Sequence, residues 1–194
     1  LGPNGAGKTT FFNLLTNFDS PDDGSVTFNG AKTSGERSHQ LAAKGMVRTF
    51  QLTKVLAKMT VLDNMMLAAQ GQTGEAMWRG LLSGWHSQEQ RVEERALEIL
   101  DEFNMIHMKD EYAGALSGGQ RKLREMARAM MANPTLIMLD EPMAGVNPAL
   151  TQSLLEHILG LKDEGMTVLF VEHDMHMVRH IADWVIVMAE GKIV

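Results

Sequence analysis

The chain has 194 residues, of which 44% are hydrophobic and 22% are charged, a balance typical of a folded globular domain. Its longest apolar runs have the length of a strand and fall far short of the roughly 20 apolar residues that cross a bilayer. The formal net charge of −6 argues against a main role in binding nucleic acid, and the absence of cysteine excludes disulfides, cysteine-ligated metal sites and thiol catalysis.

The first predicted elements are a glycine-rich loop over residues 1–10 and a helix from Thr9 to Thr16. A turn at residues 19–24 separates this helix from two short predicted strands, Ser25–Phe28 and Met46–Phe50. A loop of this kind normally follows a buried strand, which is missing here, and the sequence stops soon after a turn. We therefore expect it to be a fragment of a longer protein.

Helical patterns dominate the middle of the sequence, where no strand is predicted. Apolar residues three and four positions apart predict helices over Thr60–Gln70, Gln90–Asn104 and around Leu123–Met130. Between the first two, the same spacing recurs at Trp78, Leu81, Leu82 and Trp85. These four side chains either fill the interior of the helical segment or lie on a surface that contacts a partner protein, and the sequence leaves both interpretations open.

Strand patterns return near the end of the chain, at Thr135–Leu139, Thr167–Val171 and Trp184–Met188. A helix is predicted between the first two strands, with Asn147 as its N-cap and Pro148 in its first turn. Its buried stripe is predicted to contain Leu150, Leu154, Ile158 and Leu161. Strands that alternate with helices favour a parallel sheet covered on both faces.

These elements predict an α/β protein in two parts. We expect residues 1–51 and 132–194 to form an α/β core, whose ligand is indicated by the motifs described next. Residues 52–131 are expected to form a helical subdomain inserted into that core.

The opening loop matches the phosphate-binding pattern Gly-x-x-x-x-Gly-Lys-Thr. Phosphate oxygens need several backbone N–H donors that converge on one point, and glycine allows the chain to curl that tightly. Lys8 can reach the β- and γ-phosphates, and the Thr9 hydroxyl can ligate Mg²⁺. A plain glycine turn before a helix is the weaker interpretation. The predicted binding residues are Gly2, Pro3, Asn4, Gly5, Ala6, Gly7, Lys8, Thr9 and Thr10.

A second motif is the apolar strand Thr135–Leu139, which is followed by Asp140 and Glu141. Such a strand places its terminal acid at the carboxyl edge of the sheet, where P-loop proteins hold Mg²⁺. We assign Asp140 to the metal side and Glu141 as the general base for an attacking water. The alternative, that both acids only cap the turn before Pro142, is disfavoured by the phosphate loop in the same chain.

A third motif, Leu116–Gln120, is another helix start with a hydroxyl and two glycines. It predicts a second phosphate cradle formed by Ser117, Gly118, Gly119 and Gln120. In isolation an ordinary serine cap would be the better interpretation. Because one γ-phosphate does not need two cradles in one chain, we expect this one to serve a nucleotide bound by a second copy of the domain.

Together with His173, these motifs resemble, in the same order, those of ATP-binding-cassette (ABC) ATPases over essentially the whole chain. The resemblance implies a P-loop NTPase (RecA-like) core with an inserted helical subdomain, ATP and Mg²⁺ as ligands, and two nucleotides held between two cassettes. It gives Gln51 a position near Mg²⁺ and the attacking water, and it places His173 at the γ-phosphate. Asn147 stands where many cassettes have aspartate, which keeps a capping side chain but removes a charge.

Short segments narrow the resemblance to the ATPase subunits of bacterial branched-chain amino acid importers: Arg48–Gln51, Met59–Asn64, Ala144–Pro148 and Val171–Met175. This resemblance implies ATP hydrolysis that energises uptake of branched-chain amino acids, or of a related amino acid or amide. The implied partners are a second, identical or different ABC ATPase subunit, integral membrane permease subunits and, indirectly, a periplasmic binding protein, but no nucleic acid. The implied location is the cytoplasmic face of the bacterial inner membrane.

Two alternatives remain at this point. One is an ATPase of the lipopolysaccharide-export type, and the other is a soluble ABC ATPase acting in DNA repair or translation. The short distance in sequence between Gln51 and Asp140 leaves no room for the long coiled coil of the repair proteins. The transported solute is not revealed by the sequence.

Overall fold

The computed structural model describes residues 1–49, 57–69, 85–172 and 175–194. Gln51, His173, Trp78, Leu81 and Leu82 lie outside these residues, as does the side chain of Trp85. The chain divides into two compact units. The first unit contains residues 1–49, 134–144 and 151–194, and the second contains residues 50–133 and 145–150.

Helices and strands alternate along the first unit, whereas helices predominate in the second. The helices are α1 (Lys8–Leu15), α2 (Ser38–Ala43), α3 (Val61–Met66), α4 (Trp85–Glu102), α5 (Gly118–Met130), α6 (Pro148–Asp163) and α7 (Met175–Ile181), with a 3₁₀ turn at Ile106–Met108. The strands are β1 (Thr27–Phe28), β2 (Ala31–Lys32), β3 (Met46–Arg48), β4 (Leu136–Asp140), β5 (Thr167–Val171), β6 (Met188–Ala189) and β7 (Lys192–Ile193).

A parallel sheet with the strand order β3-β4-β5 organises the first unit. Arg48 is paired in register with Met138, and Asp140 is paired with Val171. Strand β4 lies between two neighbours, and its residues Ile137, Met138 and Leu139 are buried. Because parallel strands end at the same edge of a sheet, the carboxyl ends of all three strands meet there. The parallel sheet expected from the sequence is confirmed.

The core of the first unit joins helix α1 to this sheet. Phe12 of α1 packs in one buried cluster with Leu41, Met46, Met138 and Val171. Burial of such side chains is the main favourable contribution to folding. It therefore fixes the helix that follows the glycine-rich loop against the strands that end near Asp140. The buried stripe predicted for α6 is confirmed at Leu154, Ile158 and Leu161, whereas Leu150 is only partly buried.

Strands β1 and β2 form an antiparallel hairpin joined by Asn29 and Gly30. Both loop residues have positive φ angles, 49° and 78°, as the tight two-residue turns that match strand twist require. The sequence predicted the first strand but not the second.

The strand predicted at Trp184–Met188 is wrong for most of its length. The structure has a strand only at Met188–Ala189, and the preceding residues have no ladder. The backbone hydrogen bonds there involve single residues on the other side: the Leu1 amino group donates to Ile186, the Leu1 carbonyl accepts from Met188, and Val187 accepts from Val194. Apolar β-branched residues alone do not make a strand, because a strand also needs a neighbour over several residues.

The described part of the second unit is built from α3, α4 and α5. Most members of the predicted apolar stripes are buried: Val61 and Met65, then Ala96, Ile99 and Phe103, then Leu123, Met126, Ala127 and Met130. Ala68, Ala69 and Val92, which were also predicted to face inward, are only partly buried. Helix α3 starts at a capping box, in which the Thr60 hydroxyl accepts from the Asp63 amide at 3.0 Å. None of the described helices is long and apolar enough to span a membrane.

The central strand gives a first prediction about stability. Ile137 is 0% exposed, so we expect Ile137→Ala to lower the free energy of unfolding by about 2–5 kcal/mol through lost burial and a residual cavity. Ile193 is 67% exposed, and Ile193→Ala should change it by less than about 0.5 kcal/mol. Urea denaturation measures both. Equal losses in the two variants would contradict the position of β4 at the centre of the core.

Candidate functional site

The backbone of residues 2–7 curls into a compact loop before α1. Gly5 and Gly7 have φ angles of 81° and 92°, in the left-handed region that favours glycine. The Ala6 amide donates to the Pro3 carbonyl at 3.2 Å, and Gly7 is the N-cap of α1. The loop thus leads directly into a helix N-terminus, where backbone N–H groups attract anions.

The Lys8 side chain is buried within this loop. Its ammonium donates to the carbonyls of Gly2 and Pro3, at 2.8 and 2.9 Å, and the residue is 8% exposed. Thr9 and Thr10 follow in the first turn of α1 and are exposed. Phosphate oxygens carry charge and are stronger acceptors than these carbonyls, so the ammonium is already placed where it can exchange one set of partners for the other.

The hairpin β6–β7 supports the loop from behind, a role that the sequence did not reveal. A Cβ on Gly2 would lie 2.2 Å from the Met188 carbonyl oxygen, so only glycine fits there. The Met188 amide donates to Leu1 at 2.7 Å, and the Gly191 amide donates to Ala6 at 3.2 Å. The first glycine of the motif therefore serves packing against this hairpin.

The acidic pair lies at the carboxyl end of β4, as predicted. The Asp140 side chain is 24% exposed, and its Oδ2 lies 3.2 Å from Nη2 of Arg48. Glu141 has a φ angle of 48°, a conformation that costs a non-glycine residue of the order of 1–3 kcal/mol. Its amide donates to Val171 at 3.1 Å and its carbonyl accepts from Ala144 at 3.1 Å. The fold therefore imposes this backbone position from both sides, which is typical of functional sites.

Glu172 is a further residue of this edge that sequence analysis missed. It follows β5, is 6% exposed, and its Oε1 accepts from the Met143 amide at 2.9 Å. This contact ties the turn after Glu141 to the end of the neighbouring strand. The available signal was an acid directly after an apolar strand, the same pattern that identified Asp140.

Ser117 caps helix α5 in the second unit. Its hydroxyl accepts from the Gln120 amide at 3.3 Å, and the Gln120 side-chain oxygen accepts from the Ser117 amide at 2.8 Å. Gly119 is buried, and a Cβ there would lie 2.4 Å from Cδ1 of Leu150. The hydroxyl is thus fixed by the helix end and remains exposed, while the second glycine of the motif is required by packing.

Beyond Ser117, helix α5 carries several ionisable side chains. Burial raises the pKa of Glu125, and the cations of Lys122 and Arg124 oppose that rise. Burial lowers the pKa of Arg124 and of Arg128, and Glu125 opposes both shifts. The Glu125 carboxylate and the neighbouring cations therefore stabilise one another in a partly desolvated setting, while Arg121 and Arg128 repel Arg124.

The predicted cap of α6 is confirmed. Oδ1 of Asn147 accepts from the Leu150 amide at 2.9 Å, and Pro148 is the first residue of the helix. Asparagine thus supplies the same kind of cap that aspartate supplies, without its charge.

The fold gathers part of the predicted site and leaves part of it outside the described residues. The phosphate loop, Asp140 and Glu141 all belong to the first unit, and Ser117–Gln120 belongs to the second. Gln51 and His173, the other predicted catalytic residues, lie outside the residues that the structure describes.

Comparison with known sequences identifies relatives over the whole chain. A family model described as ABC transporter matches residues 1–144. A probable branched-chain amino acid transport ATP-binding protein, LivG of Archaeoglobus fulgidus, is 42% identical over 100% of this chain and 75% of its own length. The high-affinity branched-chain amino acid transport ATP-binding protein BraF of Pseudomonas aeruginosa is 39% identical over 98% of this chain and 76% of its own length.

Solved structures with the same fold are also ATP-binding cassettes or part of an ABC transporter complex. A nucleotide-free ATP-binding cassette from an ABC transporter is 38% identical, with a TM-score of 0.84 over 100% of this chain and 76% of that one. CbiO1 of Clostridium perfringens, part of the transporter complex CbiONQ, is 26% identical, with a TM-score of 0.82 over 100% of this chain and 73% of that one. A dimeric cassette in a post-hydrolysis state with ADP and phosphate is 25% identical, with a TM-score of 0.77 over 99% of this chain and 80% of that one.

The cap of α6 gives the second prediction. Asn147→Ala removes the acceptor for the Leu150 amide and should lower the free energy of unfolding by about 1 kcal/mol. Asn147→Asp keeps an acceptor oxygen and should stay within about 0.5 kcal/mol of the original protein. Urea denaturation of both variants measures the difference, and an equal loss in the two would show that the cap contributes nothing.

Proposed function

The chain belongs to the ABC transporter family, and we propose that it is the ATP-hydrolysing subunit of an importer of branched-chain amino acids or of a related amino acid or amide. The observation that carries this proposal is the similarity, over essentially the whole of this chain, to transport ATP-binding proteins of that class in an archaeon and a bacterium. The same relatives favour import over the lipopolysaccharide-export and soluble alternatives.

ATP is bound, in this proposal, by the loop of the first unit. The backbone amides of Gly5–Lys8 and the N-terminus of α1 receive the phosphate oxygens. The Lys8 ammonium, now held by two loop carbonyls, turns to the β- and γ-phosphates. Electrostatic stabilisation of the transferred phosphoryl group is the main contribution expected from these groups.

The residues present fit a magnesium ion. Mg²⁺ prefers hard oxygen donors and usually binds through one or two protein ligands together with substrate phosphates. The Thr9 hydroxyl is exposed in the first turn of α1, and the Asp140 carboxylate remains partly exposed at the end of β4. Thr9 and Asp140 would hold the ion, with Gln51 nearby according to the family resemblance. When bound, the ion neutralises charge on the phosphate oxygens.

Hydrolysis depends on Glu141 in this proposal. Its carboxylate takes a proton from the water that attacks the γ-phosphate. The hydrogen bonds to Val171 and Ala144 fix its backbone and therefore the direction in which the side chain leaves the chain. Gln51 orients the water, and His173 contacts the γ-phosphate, both by family resemblance.

A second cassette, identical or different, completes the site. Ser117–Gln120 of one subunit would contact the nucleotide held by residues 2–10 of the other. A related cassette is dimeric with ADP and phosphate bound, which supports this arrangement. Tighter binding of ATP by the closed dimer than by the open one supplies the energy of the switch.

In this proposal, the membrane-spanning part of the transporter is formed by other chains. We propose that permease subunits bind this ATPase at the cytoplasmic face of the bacterial inner membrane and that a periplasmic binding protein delivers the solute. CbiO1 is part of a transporter complex and supports the association with other subunits.

Affinity purification of the complete parent protein from solubilised membranes tests this function. Two polytopic membrane proteins and a second cassette should co-purify, and adding them back should stimulate ATP hydrolysis. Recovery with ribosomes or DNA, and without membrane proteins, would overturn the proposal.

The role of Glu141 gives the third prediction. Glu141→Gln should lower the rate of ATP hydrolysis by a factor of about 100 or more, because the base is lost, while nucleotide binding stays unchanged. The control is Glu164→Gln, which replaces an exposed carboxylate and should leave the rate unchanged. Phosphate release measures the rate, and a fluorescent ATP analogue measures binding. A Glu141→Gln variant that keeps half of the activity would exclude Glu141 as the base.

Lys8 gives the fourth prediction. Lys8→Ala removes the ammonium that the loop holds and should weaken ATP binding by a factor of about 10 or more. Lys192→Ala is the matched control at an exposed lysine and should bind ATP normally. The same fluorescent analogue measures both, and equal affinities would show that Lys8 does not reach the phosphates.

A further inference from the structure

Arg48 joins three parts of the first unit with one guanidinium group. Nη1 donates to Oδ1 of Asn13 in α1 at 2.6 Å, and Nη2 donates to Oδ2 of Asp140 in β4 at 3.2 Å. The guanidinium also lies 5.3 Å from the centre of the Phe12 ring. Arg48 itself ends β3, so these contacts connect the helix after the phosphate loop with two neighbouring strands.

The surroundings of this guanidinium keep it in place. The Arg48 side chain is 6% exposed, whereas that of Asp140 is 24% exposed. A charge so deeply buried is stable only with good partners, and the Asp140 carboxylate supplies the negative one. The Asn13 amide extends the network by donating to Oδ2 of Asp19 at 2.7 Å. Arg48 is therefore a fixed cation rather than a mobile surface one.

The ion pair with Arg48 involves Asp140, the carboxylate to which the proposed function assigns the binding of Mg²⁺. Among the described residues, Arg48 is the cation that pairs with Asp140, and Oδ1 of Asp140 accepts no hydrogen bond from any of them. The charges of Arg48 and Asp140 cancel, and the Thr9 hydroxyl adds none. Without nucleotide, the Arg48–Asp140 pair and Thr9 therefore offer a divalent cation no net negative charge of their own, although Glu141 and Glu172 lie at the same edge.

We propose that Arg48 is a positioning residue that acts through Asp140 and makes metal binding conditional on nucleotide. It neutralises the Asp140 carboxylate and holds its Oδ2, so that Asp140 holds a divalent cation firmly only when the phosphates contribute their own charge. This inference rests on the proposed function, because it takes Asp140 as the metal-side carboxylate.

The charge on Arg48, not its volume, is the property to test. Arg48→Met and Arg48→Gln remove the charge, and Arg48→Gln also keeps hydrogen-bond donors that support folding. Arg48→Lys keeps the charge but cannot reproduce the two-sided geometry of guanidinium. Arg91→Met, at an exposed arginine on α4, is the matched control. Thermal unfolding of every variant shows which of them are folded.

The experiment measures Mn²⁺ binding to the nucleotide-free chain. Binding is monitored through the loss of the electron paramagnetic resonance signal of free Mn²⁺. Removing a neighbouring positive charge should tighten Mn²⁺ binding about fivefold or more in Arg48→Met and Arg48→Gln. Arg48→Lys and Arg91→Met should stay within about twofold of the original protein.

Three results would overturn the inference. The first is unchanged or weaker Mn²⁺ binding in a folded neutral variant, and the second is tightening in Arg48→Lys equal to that in Arg48→Met. The third is a failure of both neutral variants to fold, which would assign Arg48 to stability alone. ADP binding to the original chain is measured in parallel: its absence would count against the proposed function, while the Mn²⁺ comparison would still report on Arg48.

Discussion

The position of β4 between two parallel neighbours is the constraint on which the site depends. Pairing with β3 brings Arg48 near Asp140, and pairing with β5 brings Val171 and Glu172 beside Glu141. Because the three strands run in the same direction, their carboxyl ends and the polar residues that follow them meet at one edge. Hydrophobic burial of β4 keeps that edge in place although its polar residues are costly to desolvate.

The residues at this edge show how a stable sheet carries an unfavourable local arrangement. Glu141 has a positive φ angle, and the Arg48 guanidinium is nearly removed from water. Each of these features costs free energy, and each is offset by specific partners: backbone bonds for Glu141 and the Asp140 carboxylate for Arg48. The loop before α1 is likewise held in its tight conformation by a neighbouring element, because the hairpin β6–β7 packs closely against Gly2.

Local features were predictable where neighbouring residues in the chain determine them. The start of α6 at Pro148 with its Asn147 cap and the start of α5 at the Ser117 cap follow from interactions three residues apart. The buried stripes of α4 and α5 follow from helical periodicity. The strand predicted at Trp184–Met188 failed because its apolar pattern says nothing about whether a neighbouring strand is available.

The sequence by itself determined the phosphate loop, the acids after the apolar strand, the helix caps and the family. Each of these rests on residue types at short, fixed spacings. Tertiary structure alone decided that Arg48 pairs with Asn13 and Asp140, which are 35 and 92 positions away, and that Glu172 holds the Met143 amide from 29 positions away. Such contacts depend on strand order and register, which are set by the burial of the whole core and leave no local pattern in the chain.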